Sequence, residues 1–172
     1  MKFEHLVQIN DPSLPGVDWL TRQQLWLGLV ARAWKPTRFV LGLEDAQITE
    51  SRQLGNVTTL YRVLDYGPFK IEDSIELHEE DRTETRIVAN QFCGDSTLTI
   101  SIEEPNQGEL WLRFYYQVSD APNTGDVPGA SSTDVEEVRK QAYRAADIDT
   151  VRMIRELAMA MPPQTPEPRK DH

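Results

Sequence analysis

TDVEEVRKQAYRAADIDTVRMIRELAMAM, residues 133–161, is the stretch on which the fold turns. Thr133 with Glu136 three residues on is a capping-box pattern, in which the two side chains satisfy N–H groups that a helix's first turn leaves unpaired. Val135, Val138, Ala142, Ala145, Met153 and Leu157 then recur along one stripe, and Ile148, Val151, Ile154 and Ala158 form a neighbouring row that widens it. Apolar residues at this spacing predict one amphipathic helix running to about Met161. So wide an apolar face must be buried against something.

The residues before it supply a sheet. From 44 to 119 the pattern is all strand. Turn signals at Leu54-Gly55-Asn56, Tyr66-Gly67-Pro68, Glu79 to Thr83, Gly94-Asp95 and Pro105 to Gly108 cut it into strands near 44–53, 57–66, 69–79, 84–93, 96–104 and 109–119. Connections this short cannot make parallel crossovers, so consecutive strands form an antiparallel meander. Residues 120–132, DAPNTGDVPGASS, read as a loop between sheet and helix.

The chain starts on a further strand, KFEHLVQIND at 2–11, with Phe3, His5, Val7 and Ile9 in one phase and Lys2, Glu4, Gln8 and Asn10 in the other. A helix follows. Thr21 with Gln24 makes a second capping box, Leu20 and Leu25 are placed for a hydrophobic staple, and Leu25, Trp26, Leu29, Val30, Ala33 and Trp34 recur at helical spacing. Trp26 and Trp34 are both read as core. Pro36 ends the helix, because the residue before a proline avoids helical angles, and one more turn can follow up to Gly42. The order is strand, helix, helical turn, six strands, long helix. The fold class is α+β: a seven-stranded curved antiparallel sheet wrapped around a long C-terminal helix, with a short helical segment after the first strand.

Composition narrows the function. A chain of 172 residues can bury a core without staples. Its formal net charge of -10 opposes binding to phosphate backbones and anionic lipid, so neither nucleic acid nor membrane is an expected partner. Cys93 is the sole cysteine, which excludes an intrachain disulfide and reads as a small packed residue. Without an apolar leader or spanning run, the default is a soluble cytoplasmic protein. His5, His78 and His172 are scattered and no zinc spacing exists, so no metal is expected; no phosphate or dinucleotide motif implies a cofactor.

The element order with its lengths resembles the helix-grip fold of the Bet v 1/START-like superfamily (SRPBCC). The stretches KFEHLVQINDP, LTRQQLWLGLVARAWKPTRFVLGLEDAQI and AYRAADIDTVRMIRELA are similar to the AtaL-like family within it. The likeness covers residues 1 to about 161, one helix-grip domain, and leaves 162–172 as a proline-rich, disordered tail. It implies a cavity between sheet and C-terminal helix. Members of the superfamily use that cavity for apolar or aromatic small molecules, and some for cyclase or aromatase chemistry. The resemblance carries over no catalytic motif.

Strand phase selects what faces such a cavity. Phe69, Ile71, Asp73, Ile75 and Leu77 share one face; so do Leu98, Ile100 and Ile102, and Leu110, Leu112, Phe114, Tyr116 and Val118. The strands at 57–66 and 84–93 are ambiguous, and the reading adopted turns Tyr61 and Gln91 inward. The ligand-binding candidates are His5, Glu50, Tyr61, Asp73, Gln91, Phe114 and Tyr116, polar or aromatic groups on an otherwise aliphatic wall. Each has a structural alternative: His5 a neutral imidazole bonded to a carbonyl or a tyrosine, Asp73 an ion pair with an arginine such as Arg52 or Arg86, the tyrosines plain core. Three functions remain open. One is a binding protein for an apolar or aromatic small molecule. A second is an enzyme of cyclase, dehydratase or isomerase type, with His5 as general acid or base and Asp73 or Tyr116 orienting the substrate. The third is a protein-interaction module using outward Trp111 and Tyr115.

Overall fold

The computed structural model describes residues 1–14, 18–91, 94–119 and 132–161. Cys93, most of the 120–132 loop and the 162–172 tail lie outside the described residues.

The strands are β1 (Lys2–Gln8), β2 (Asp45–Leu54), β3 (Val57–Asp65), β4 (Lys70–His78), β5 (Arg82–Ile87), β6 (Ser96–Glu103) and β7 (Trp111–Val118). They form one antiparallel sheet in the order β1-β7-β6-β5-β4-β3-β2. The meander runs from β2 to β7, and β1 returns to pair with β7, setting Phe3 opposite Tyr116 and His5 opposite Phe114. The curved sheet grips the long helix α2 (Ser132–Ala160), and α1 (Arg22–Trp34) lies between β1 and a single 3₁₀ turn at Pro36–Arg38.

Local sequence explains most of these bounds. The Thr21 hydroxyl accepts from Gln24 N–H at 3.0 Å, and Thr21 N–H donates to the Gln24 side chain at 2.8 Å, completing the capping box of α1. Pro36 stops the helix and itself begins the 3₁₀ turn. Asn10 departs from the alternation of β1. The strand ends at Gln8, and Asn10 turns inward, bonding Leu20 through both its amide groups and reaching Gly108 O at 3.0 Å. That buried amide fastens the start of α1 to the end of β1.

Three expectations about strands fail. β5 ends at Ile87, so Gln91 is an exposed loop residue and takes no part in the sheet. The phase of β3 is opposite to the one adopted: Leu60, Arg62 and Leu64 are buried, and Tyr61 faces outward. An arginine on the inner face had disguised the alternation. Glu50 also points outward, where it pairs with Arg52 at 2.7 Å. A bulge between Ile48 and Glu50 inserts one residue and reverses the side-chain phase.

The buried face of α2 is rotated from the expected stripe. Val135, Val138 and Ile148 are exposed, as are Ala142 and Ala145. The buried row is Asp147, Thr150, Val151, Ile154 and Ala158, flanked by half-buried Tyr143, Met153 and Leu157. Two polar residues within it break the apolar count. The helix also begins at Ser132, which puts Thr133 inside the first turn instead of at its cap. Trp26 is core, but Trp34 is 43 % exposed. The two helices meet where Gly28 gives Ile154 room: a Cβ on Gly28 would stand 2.5 Å from Ile154 Cγ2.

Candidate functional site

Between the sheet and α2 lies a cavity of about 530 Å³, a volume suited to a drug-sized molecule. Leu64, Ile87, Leu98 and Val118 supply its sheet wall, and Phe39 and Val40 close it from the segment after α1. Its polar groups come from different elements: Arg32 from α1, Arg62 and Asp73 from paired strands, Tyr116 from β7, and Asp147 and Thr150 from α2.

Arg62 and Asp73 face each other in the register of β3 and β4. Arg62 Nε donates to Asp73 Oδ1 at 2.8 Å and Nη2 to Oδ2 at 2.6 Å, a bidentate pair. Nη1 donates to Ala33 O at 2.7 Å, capping a carbonyl in the last turn of α1. Both side chains are almost wholly buried. The arginine partner expected for Asp73 therefore exists, but it is Arg62, not Arg52 or Arg86.

Opposite this pair, Asp147 gathers two groups. His5 Nδ1 lies 3.0 Å from its Oδ2, and the Tyr116 hydroxyl donates to its Oδ1. Tyr116 stacks on Tyr143 with ring centroids 4.2 Å apart. Burial, and after it the neighbouring Asp147 carboxylate, holds the Tyr116 phenol far above its ordinary range, so it remains a donor. Burial also raises the Asp147 carboxyl, against the opposing pull of the bonds from Tyr116 and His5. The chain His5–Asp147–Tyr116 thus runs from a partly exposed imidazole to a hydroxyl on the cavity wall.

Of the residues nominated from sequence, Asp73 and Tyr116 line the cavity. His5 stands behind the wall and reaches it through Asp147. Phe114 is fully buried core beside His5, with ring centroids 6.4 Å apart. Glu50, Tyr61 and Gln91 lie away from the cavity. Tyr61 instead borders a groove on the sheet's outer face with Ser74, Glu76 and Arg86. Arg32, Arg62 and Asp147 were missed. The signal for Asp147 is its place four residues after Tyr143 and four before Val151, on the buried row of α2. Arg32 likewise follows Leu25, Gly28 and Leu29 by seven, four and three residues, the spacing of the buried face of α1.

On the outer face, among the described residues, Glu76, His78 and Glu84 place potential ligand atoms within 4.8 Å of one another. The sequence reading did not anticipate this group. It forms a partly exposed ion-pair network in which Arg82 Nε binds Glu84 at 2.7 Å and His78 lies 3.4 Å from Glu76. The outward Trp111 and Tyr115 are half-buried, Trp111 donating to Glu109 at 3.0 Å and Tyr115 accepting from Gln117 at 2.8 Å, so they do not form a bare apolar patch. Among the described residues, no helix is long and apolar enough to cross a membrane.

The architecture is found in solved structures of low sequence identity. The di-domain ARO/CYC StfQ from the steffimycin biosynthetic pathway superposes with a TM-score of 0.66 at 12 % identity, over 92 % of this chain and 50 % of that one. The Zhui aromatase/cyclase from Streptomyces sp. R1128 gives 0.55 at 13 %, over 92 % and 93 %. Ara h 8.0201 gives 0.55 at 9 %, over 94 % and 99 %. The chain spans about half the length of the di-domain proteins it matches. No curated protein matches it. The family model for acetylaranotin biosynthesis cluster protein L, AtaL, matches residues 7–160. With that match across nearly all of the described chain, the chain belongs to the AtaL family, and its fold is the one it shares with these solved structures.

Proposed function

We propose that this protein binds a small molecule with an apolar or aromatic body in the cavity between the sheet and α2. The observation that carries this reading is the cavity itself: about 530 Å³, walled mainly by aliphatic and aromatic side chains, with its polar groups gathered at few points. Apolar walls supply affinity at roughly 25 cal/mol per Å² buried, and the polar groups orient what enters. The solvent-facing groove beside Tyr61 has polar walls and offers no comparable apolar surface.

Ala146 tests the reading. It lines the cavity from α2 and is otherwise exposed, so a tryptophan there fills the cavity without displacing core. Titration with 1-anilinonaphthalene-8-sulfonate, read by fluorescence, is expected to show saturable binding to the wild type. Ala146→Trp should lose it at an unchanged melting temperature. Equal binding by both proteins would remove the cavity from consideration.

A second reading is favoured by the His5–Asp147–Tyr116 chain. A hydroxyl on the cavity wall, bonded to a carboxylate that is bonded to an imidazole, is the arrangement a proton-transfer step requires. Three structural neighbours are described as aromatase/cyclases. On this reading the cavity hosts a cyclisation, dehydration or isomerisation, in which the Tyr116 oxygen accepts a proton from the substrate as its own hydroxyl proton passes to Asp147, with His5 acting through Asp147. Tyr116→Phe separates the two readings: a binder keeps its affinity within a few-fold, whereas an enzyme loses turnover by about 10²-fold or more.

A further inference from the structure

Arg32 stands apart from the other charged groups of the cavity. Arg62 spends its donors on Asp73 and Ala33 O. Asp147 holds both oxygens to Tyr116 and His5. Asp149, at the cavity edge, is paired with Arg152 at 2.8 Å. Arg32 is half-buried and lines the cavity, and its buried Nε has no hydrogen-bond partner among the described residues. Among the described residues it forms no ion pair with any carboxylate: the charges of Asp73 and Asp147 reach it through space alone.

A buried guanidinium N–H without an acceptor is costly, because it loses water and gains no bond in return. Native interiors seldom leave such a group unmatched unless something else binds it. The Tyr116 phenol keeps its proton and so offers the guanidinium no negative charge. Thr150 and the aliphatic wall offer no charge.

We propose that the cavity ligand carries a carboxylate that docks on Arg32, with its apolar or aromatic body against Leu64, Leu98 and Val118. The planar guanidinium fork matches a carboxylate bidentately, which an amide or alcohol cannot reproduce. The proposal rests on the reading of the cavity as a small-molecule site and adds the class of ligand: an apolar or aromatic acid.

The test uses 2-naphthoate and its neutral isostere 2-naphthamide, titrated into the full chain by calorimetry at pH 7. Wild type is expected to bind the acid about tenfold tighter than the amide, or more, the advantage of a charge-assisted pair in a dry site. Arg32→Met should abolish that preference while leaving the amide's affinity unchanged or improved. Its melting temperature should hold or rise, since an unmatched charge has been removed. Arg32→Lys should keep part of the preference, as a point charge without the fork. Equal binding of acid and amide by the wild type overturns the carboxylate and leaves the binding site standing. A preference that survives Arg32→Met overturns the assignment to Arg32. Binding of neither probe overturns the proposal together with the reading of the cavity. Should Arg32→Met fail to fold, the wild-type comparison and Arg32→Lys decide the matter.

Discussion

Replacing Arg62 by methionine keeps much of the side chain's length and volume and removes its guanidinium. Three hydrogen bonds go with it: two to Asp73, at 2.8 and 2.6 Å, and one to Ala33 O at 2.7 Å. Asp73 then remains as a buried carboxylate without its partner, and a carbonyl at the end of α1 loses its cap. Removing one member of a buried pair costs about 3–5 kcal/mol, mostly for the charge left behind. A domain is stable by only about 5–15 kcal/mol, so Arg62→Met should be severely weakened though still measurable. With a urea slope of about 2 kcal/mol/M, the unfolding midpoint should fall by roughly 1.5–2.5 M. Arg62→Met combined with Asp73→Leu removes both charges and should recover most of that loss, because an apolar replacement of a buried pair is often neutral or better. Equilibrium urea unfolding followed by circular dichroism measures all three. A midpoint shift below about 0.5 M for Arg62→Met would refute the reasoning. So would a double variant no more stable than the single, since the stranded charge would then not be the cause.

The helix crossing and the carboxylate on α2 give two further expectations. Gly28→Ala drives a methyl to 2.5 Å from Ile154 Cγ2 and should cost about 1–3 kcal/mol by overpacking, less up to about 1 kcal/mol of helix propensity; joined with Ile154→Ala it should be less harmful than the two single losses added together, and strict additivity in urea midpoints would show that the helices do not meet there. Burial raises the Asp147 carboxyl, so the folded protein holds that proton more tightly than the unfolded chain; this stabilisation is full below the ordinary value of 3.8 and is lost as pH rises through the folded value. Asp147→Asn cannot titrate, so its stability relative to wild type should climb from about pH 4 to pH 7, and a constant difference across that range would count against the buried carboxyl.

Much of the architecture was legible in the chain. Turn residues marked each hairpin, Thr21 and Pro36 bounded α1, and three strands alternated cleanly enough to name their inner faces. These signals are local: a cap, a proline or a two-residue period acts within a few residues of itself. The polar side of the cavity was not legible for the opposite reason. Asp73 was visible as a carboxylate among isoleucines, but its partner Arg62 sat on a strand whose charge hid its own phase. Asp147 and Thr150 broke the apolar row of α2 and turned the apparent stripe toward Val135 and Val138, which are exposed. The bulge between Ile48 and Glu50 left no mark in the side-chain pattern.

From sequence alone came the order of elements, the antiparallel meander and the covering helix, because period and turn chemistry are properties of neighbouring residues. Only the tertiary structure decided which charges meet. His5 and Asp147 are separated by 142 residues and Tyr116 and Asp147 by 31, and they meet because β1 pairs with β7 and α2 lies across them. Among the described residues, the same packing leaves Arg32 Nε without an acceptor. A buried polar group is defined by the partners that the fold brings to it, and pairing at such distances along the chain has no local signature.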